Sequence, residues 1–161
     1  MSKLLRGSAR EARYHLVGGN SFELLKNIRF LTFSTVPQQQ ARSTERMNLV
    51  AEWIAYQKTQ EEKYWDSADY VMTLASKQPE ALWDFINATL DSPECDDVVL
   101  SNLAAGPLED LMNSNGKEFI ERVVDKARRS PRFNLLLGGV WQSGIEPEVW
   151  KKIENIRNKI W

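Results

Sequence analysis

The chain has 161 residues, a single-domain length, with 42% hydrophobic and 27% charged side chains, the balance of a soluble folded protein rather than a disordered one. It carries one cysteine, Cys95, and one histidine, His15, which excludes an internal disulfide and any usual zinc site and fits a reducing, cytoplasmic setting. No apolar run approaches the ~20 residues of a membrane span. The net charge of −1 hides an uneven distribution. Residues 1–46 hold eight Lys/Arg against three Glu (+5), and residues 47–161 hold the other 13 bases and 19 acids (−6). An acidic main part repels phosphates, so nucleic acid is not an expected partner.

In chain order, residues 1–46 lack a coherent pattern. Leu24, Leu25, Ile28 and Leu31 have helical spacing, "FLTFSTV" reads as a strand, and "PQQQARSTER" has the polar composition of a linker. The expectation is a poorly ordered or loosely packed N-terminal extension over 1–46 and a single helical domain over 47–161.

From Met47 the 3.6-residue period is plain. Leu49, Val50, Trp53, Ile54 and Gln57 mark a first helix, and Ala68, Val71, Leu74 and Ala75 a second that stops before Pro79. Pro79 opens a third, with Leu82, Phe85, Ile86 and Leu90 on one side. "DSPECDD" supplies a turn and the start of a helix carrying Cys95, Val99 and Leu103; Cys95 reads as a small buried apolar residue. Gly106-Pro107 reads as a break before a short helix that Asn115-Gly116 closes. Phe119, Ile120, Val123, Val124 and Ala127 give the next helix. After Pro131 a stripe of Phe133, Leu136, Leu137, Val140 and Trp141 runs through Gly138-Gly139, which places Trp141 in the core and means either that the helix ends at the pair or that a neighbour comes too close for a side chain. The last helix starts at Glu146-Pro147, with Val149, Ile153, Ile156 and Ile160 on one face and Ile145 and Trp150 placed as a hydrophobic staple. The expected fold is all-α: about eight short helices in antiparallel pairs, as a compact bundle or a short HEAT-like stack.

At "LAAGPLEDLM…NGKEFIERVVDKARRSPRFNLLLGGVW" the chain resembles an uncharacterised bacterial family, one of the domains of unknown function. Its members carry Gly-Pro-Leu-Glu-Asp-Leu-Leu, then His-Gly, then Asp-Pro-x-Phe followed by Gly-Val-Trp. The likeness runs from roughly Trp53 to Trp150, and Asn115 and Ser130 depart from it where relatives tend to have histidine and aspartate. The resemblance implies a bacterial cytoplasmic protein and supplies no activity.

Glu109 and Asp110 are the first candidates for chemistry. With Pro107 as first helical residue, Glu109 is third, where its carboxylate reaches orphan N–H groups, so a helix start accounts for the pair. Asp91, Glu94, Asp96 and Asp97 form the densest acidic cluster, which lacks the glycine and terminal glutamate of a calcium loop and reads as a solvated helix start. No phosphate-binding loop, dinucleotide fingerprint or nucleophile elbow is present. Trp65 and Trp161 lie off the apolar stripes, and exposed aromatics anchor interfaces. Trp65, Trp161, Glu109 and Asp110 are therefore the candidate partner-binding residues. The expected function is a non-enzymatic protein-interaction module without cofactors, in its narrower form an inhibitor or immunity-type partner of a basic protein. The alternative is an acid-dependent enzyme or metal-binding protein using Glu109, Asp110 and the 91–97 acids, and convergence of those acids in a pocket distinguishes the two.

Overall fold

The computed structural model describes residues 38–161; the expectations for the extension, including His15, lie outside the described residues. Helix α1 spans Gln38–Thr59 and buries Val50, Trp53 and Ile54. It begins before Met47: from Gln38 on, the segment that reads as a linker lies in the first half of this helix. Gln60, at φ 56°, ends it in the left-handed conformation. A 3₁₀ turn (Glu62–Tyr64) leads into α2 (Trp65–Lys77), followed by α3 (Pro79–Asp91), α4 (Asp97–Leu103), a π-helical turn (Ala104–Leu108), α5 (Glu109–Arg129), α6 (Pro131–Leu137) and α7 (Pro147–Ile156). Among the described residues there are seven α-helices and no strand.

The all-α expectation holds, and one physical fact explains the lower helix count. Gly106-Pro107 does not break the chain. Proline has no N–H to give, and its ring collides with the carbonyl four residues back in a regular helix. Here the backbone widens by one residue, Glu109 N–H bonding back to the Ala104 carbonyl, and the rod continues from Asp97 through to Arg129. It bends at Asn115, whose φ of −135° and ψ of 21° leave the helical region. Asn115 therefore ends the first, short stretch of α5, as the sequence suggests, and a second stretch resumes at Gly116. Its side-chain amide donates to the Ala75 carbonyl at 2.7 Å, one of the orphan acceptors in the last turn of α2.

α5 packs on α2, α3, α6 and α7, and α1 on α2, α3 and α4. The rod's buried residues are Val99, Leu103, Pro107, Leu111, Phe119, Val123 and Ala127 on one line, with Leu100, Ala104, Leu108, Met112, Gly116, Ile120 and Val124 beside it. Trp83 ties α3 to this core, edge-on to Phe133 (ring centroids 5.7 Å apart) and tilted against Phe119 (6.1 Å). Ile145 and Trp150 are both buried, so the staple ahead of α7 is formed.

Two apolar expectations fail after α6. Trp141 is 62% exposed, not core, and Ile160 is 60% exposed. The α-helix stops at Leu137, and Gly138, Gly139 and Val140 each donate to the carbonyl three residues back. That tightens the turn to about three residues, so the stripe loses phase: Val140 stays inside and Trp141 points out. α7 ends at Ile156, and the extended tail returns along α6. There Asn158 N–H donates to Asn134 Oδ1 (2.8 Å) and the Trp161 indole N–H to the Leu135 carbonyl (2.8 Å). The glycine pair exists for this tail: a Cβ on Gly138 would stand 2.1 Å from the Lys159 carbonyl oxygen, and one on Gly139 would stand 2.7 Å from the Trp161 ring.

Candidate functional site

Local chemistry sets the positions of the sequence-predicted residues, and it does not bring them together. Glu109, the first residue of α5, follows the π-turn without a break, so its own N–H is already bonded to the Ala104 carbonyl and it does not open a free helix end. Its Oε2 accepts from the Trp141 backbone N–H at 3.3 Å, so it holds the exposed loop after the glycine pair. Asp110 is half-buried on the same turn, and the loss of water around it pushes its carboxyl above the usual aspartate range. In the 91–97 segment, Asp96 caps α4, its Oδ1 accepting from Val99 N–H at 3.1 Å, and pairs with Lys58 at 3.0 Å. The Val99 hydrogen bond first and Lys58 second hold its carboxyl below the usual range. Asp91, Glu94 and Asp97 are exposed, and Cys95 is buried. Among the described residues no three His, Cys, Asp or Glu side chains stand close enough to share a metal ion.

The Asp110 shift has a testable sign. A carboxyl that ionises later in the native than in the unfolded state favours folding most below the unfolded value (~3.9) and loses that advantage as pH rises through the native value. Asp110→Asn should therefore raise the urea midpoint at pH about 7 relative to the parent, with the gain vanishing near pH about 3.5. A loss of stability at neutral pH would show that the ionised carboxylate is favourably held.

Trp65 and Trp161 open onto separate hollows. Trp161 serves the chain itself, its ring against the glycine pair and its N–H committed to Leu135. Trp65 is different. It is the first residue of α2, 45% exposed, and stands edge-on to Tyr56 of α1 (ring centroids 5.6 Å, planes at 65°). Both rings line an open hollow of about 260 Å³, whose floor includes Trp53 and whose far wall is the π-turn at Gly106-Pro107. Met72, one of the more exposed apolar side chains at 64%, stands at its edge, and the Gln57 and Asn102 amides supply polar contacts. A Cβ on Gly106 would meet nothing within 4 Å, so this wall faces open space.

The sequence marks Trp65 as a candidate but not the hollow, which α1, α2 and the π-turn build jointly. A visible signal was the period: Trp53 is in phase with the α1 core, whereas Trp65 is out of phase with Ala68, Val71 and Ala75. A wider groove of about 1050 Å³ between α1, α2 and α3 carries Glu52, Glu80 and Asp84. Three of its acids are used within the chain: Asp84 pairs with Arg46 (2.9 Å), Glu80 with Arg122 (2.6 Å), and Glu52 accepts from Ser67; Glu45 also lines the groove. The smaller hollow differs from it in presenting an exposed indole and a methionine at its rim.

No curated protein and no solved structure matches the chain. A family model described as a family of unknown function, DUF6869, matches residues 55–160, a span that includes the Trp65 side of the hollow, the π-turn and the Glu109–Trp141 contact. The chain belongs to that family.

Proposed function

We propose that this protein is a protein-interaction module that does no chemistry of its own and engages its partner through the Trp65 hollow. The observation that carries this reading is a large aromatic and a methionine, 45% and 64% exposed, framing a concavity of side-chain size. Exposing an indole forgoes hydrophobic stabilisation of about 1.5–3 kcal/mol, which a partner that covers it recovers on binding. The dispersed acids support the same reading: Glu109 tethers a loop, Asp96 caps a helix, and neither joins a catalytic set. Excess acid over residues 47–161 favours the narrower form, an inhibitor or immunity-type partner of a basic protein, because opposite charge speeds encounter.

The test is affinity capture from the native host, with mass spectrometry, using the parent protein and a Trp65→Ala/Met72→Glu double variant. The expected result is a protein recovered with the parent and lost with the variant, confirmed by a fall of at least about 30-fold in affinity for the purified partner, as for a lost hot spot of ~2 kcal/mol. A partner retained with unchanged affinity by a folded double variant would overturn the assignment.

A further inference from the structure

We infer that the Trp65 hollow receives a cationic side chain, an arginine guanidinium presented by the partner. This rests on the interaction-module reading above and names the chemistry of its contact. Three observations carry it.

The first is the wall. Tyr56 and Trp65 meet at 65° and open together on a hollow that Trp53 floors, so a guest meets π-surface from more than one side. Ring faces are negative in electrostatic terms, and a flat cation laid on them is attracted more than a neutral group of the same shape.

The second is the charge around it. Glu61, Glu62, Asp66 and Asp69 flank Trp65 in the 3₁₀ turn and first turns of α2, all exposed. The local bases are engaged: Lys63 pairs with Glu61 at 2.7 Å and lies over the Tyr64 ring, and Lys58 pairs with Asp96. Glu62, Asp66 and Asp69 form no ion pair among the described residues. These acids do not line the hollow; they stand within four residues of Trp65 along the chain, so the approach to it carries charge opposite to a cation's.

The third is what the chain does elsewhere. Arg122 covers Trp83 and Phe119, its guanidinium carbon 5.0 and 4.8 Å from the ring centroids, and Arg157 covers Trp150 at 4.6 Å. At both places a guanidinium lies on an aromatic ring while pairing with an acid, Arg122 with Glu80 and Arg157 with Glu154. At Trp65 no described residue supplies one, and the partner's does. Arginine fits better than lysine because its planar, weakly hydrated head stacks on a ring while its N–H groups reach the Gln57 and Asn102 amides.

The test uses the full chain, with nitrogen-15 in its six tryptophan indoles and the Trp65 resonance identified by Trp65→Phe. It is titrated with N-acetyl-arginine N-methylamide and, separately, with the neutral isostere N-acetyl-citrulline N-methylamide. The expected result is a saturable shift of the Trp65 resonance that is at least about threefold tighter for the arginine probe. The preference should shrink in about 1 M salt, where charges are screened within ~3 Å, and fall in Asp66→Asn/Asp69→Asn. The Trp83 and Trp150 resonances, already covered by arginines, should not move. Equal shifts with both probes, or no saturable Trp65 shift, would overturn the cation assignment. That failure is distinct from failure of the module reading: a partner captured through Trp65 and Met72 without arginine preference leaves the module standing, and arginine preference without a partner lost in the double variant does the reverse.

Discussion

Replacing Phe133 with alanine should cost about 3–5 kcal/mol, while the same truncation at Trp141 should cost less than about 1 kcal/mol. Both residues share the stripe that the sequence assigns to one helix face. Phe133 is fully buried, its ring against Trp83 in the shared core of α3, α5 and α6. Removing it deletes the transfer energy of a large ring and leaves a cavity that three helices cannot close together. Trp141 sits past the tightened turn, with its indole largely in solvent and only its backbone engaged, N–H to Glu109 and carbonyl from Ser143 N–H, bonds that alanine keeps. Urea melts of the two variants decide the matter. A loss at Trp141 approaching that at Phe133 would mean that its ring packs inside and that the helix runs through the glycine pair.

Gly138→Ala is the second large effect expected, a loss of about 1–3 kcal/mol from overpacking. Gly138 has an ordinary helical φ of −63°, so the methyl group creates no conformational strain. The conflict is with a neighbour: the added carbon would lie 2.1 Å from the Lys159 carbonyl oxygen and 2.9 Å from the Trp161 ring. Relief requires the tail to lift, giving up the Trp161 indole bond to Leu135 and its backbone bond to Gly138. A double-mutant cycle isolates this. Removing residues 159–161 should destabilise the parent, and Gly138→Ala should then add only a few tenths of a kcal/mol. Full additivity of the two changes would show that the glycine answers to something other than the tail.

These two expectations also mark where the sequence is legible. α2 and α3 can be read from their stripes because both are single, regular helices with one buried side, and Ala68, Val71, Leu74, Leu82, Phe85 and Ile86 are all inside. The staple of Ile145 and Trp150 is equally local. What goes unread depends on partners distant in the chain. Gly106-Pro107 looks like a stop because proline ends most helices; whether the backbone widens instead depends on what the flanking turns pack against. Gly138-Gly139 announces a close approach but not that Trp161 makes it. The candidate site divides in the same way. Trp65 is visible as an aromatic out of phase, whereas the hollow needs Tyr56, Met72 and the π-turn from three separate elements. Glu109 is visible as an acid, but its acceptor role toward Trp141 follows from a loop whose path the helical period misstates.

The buried line of the rod, at 99, 103, 107 and 111 and again at 119, 123 and 127, advances by four residues at each step. A regular helix turns ~100° per residue, so such a line would creep about 40° around the rod every four residues and soon face water. The wider π-turn takes up ~100° of that winding, and the bend at Asn115 separates the two stretches of the line. The rod behaves as two helical gears meshed through one added tooth. Point changes at Gly106 meet open space and should pass easily, but a change of length between 104 and 108 turns everything downstream by ~100° per residue and carries Leu111, Phe119 and Val123 off their partners together. Within that turn Gly106 is free to vary, while Ala104, Pro107 and Leu108 are held by the core and the turn as a whole is held to its count.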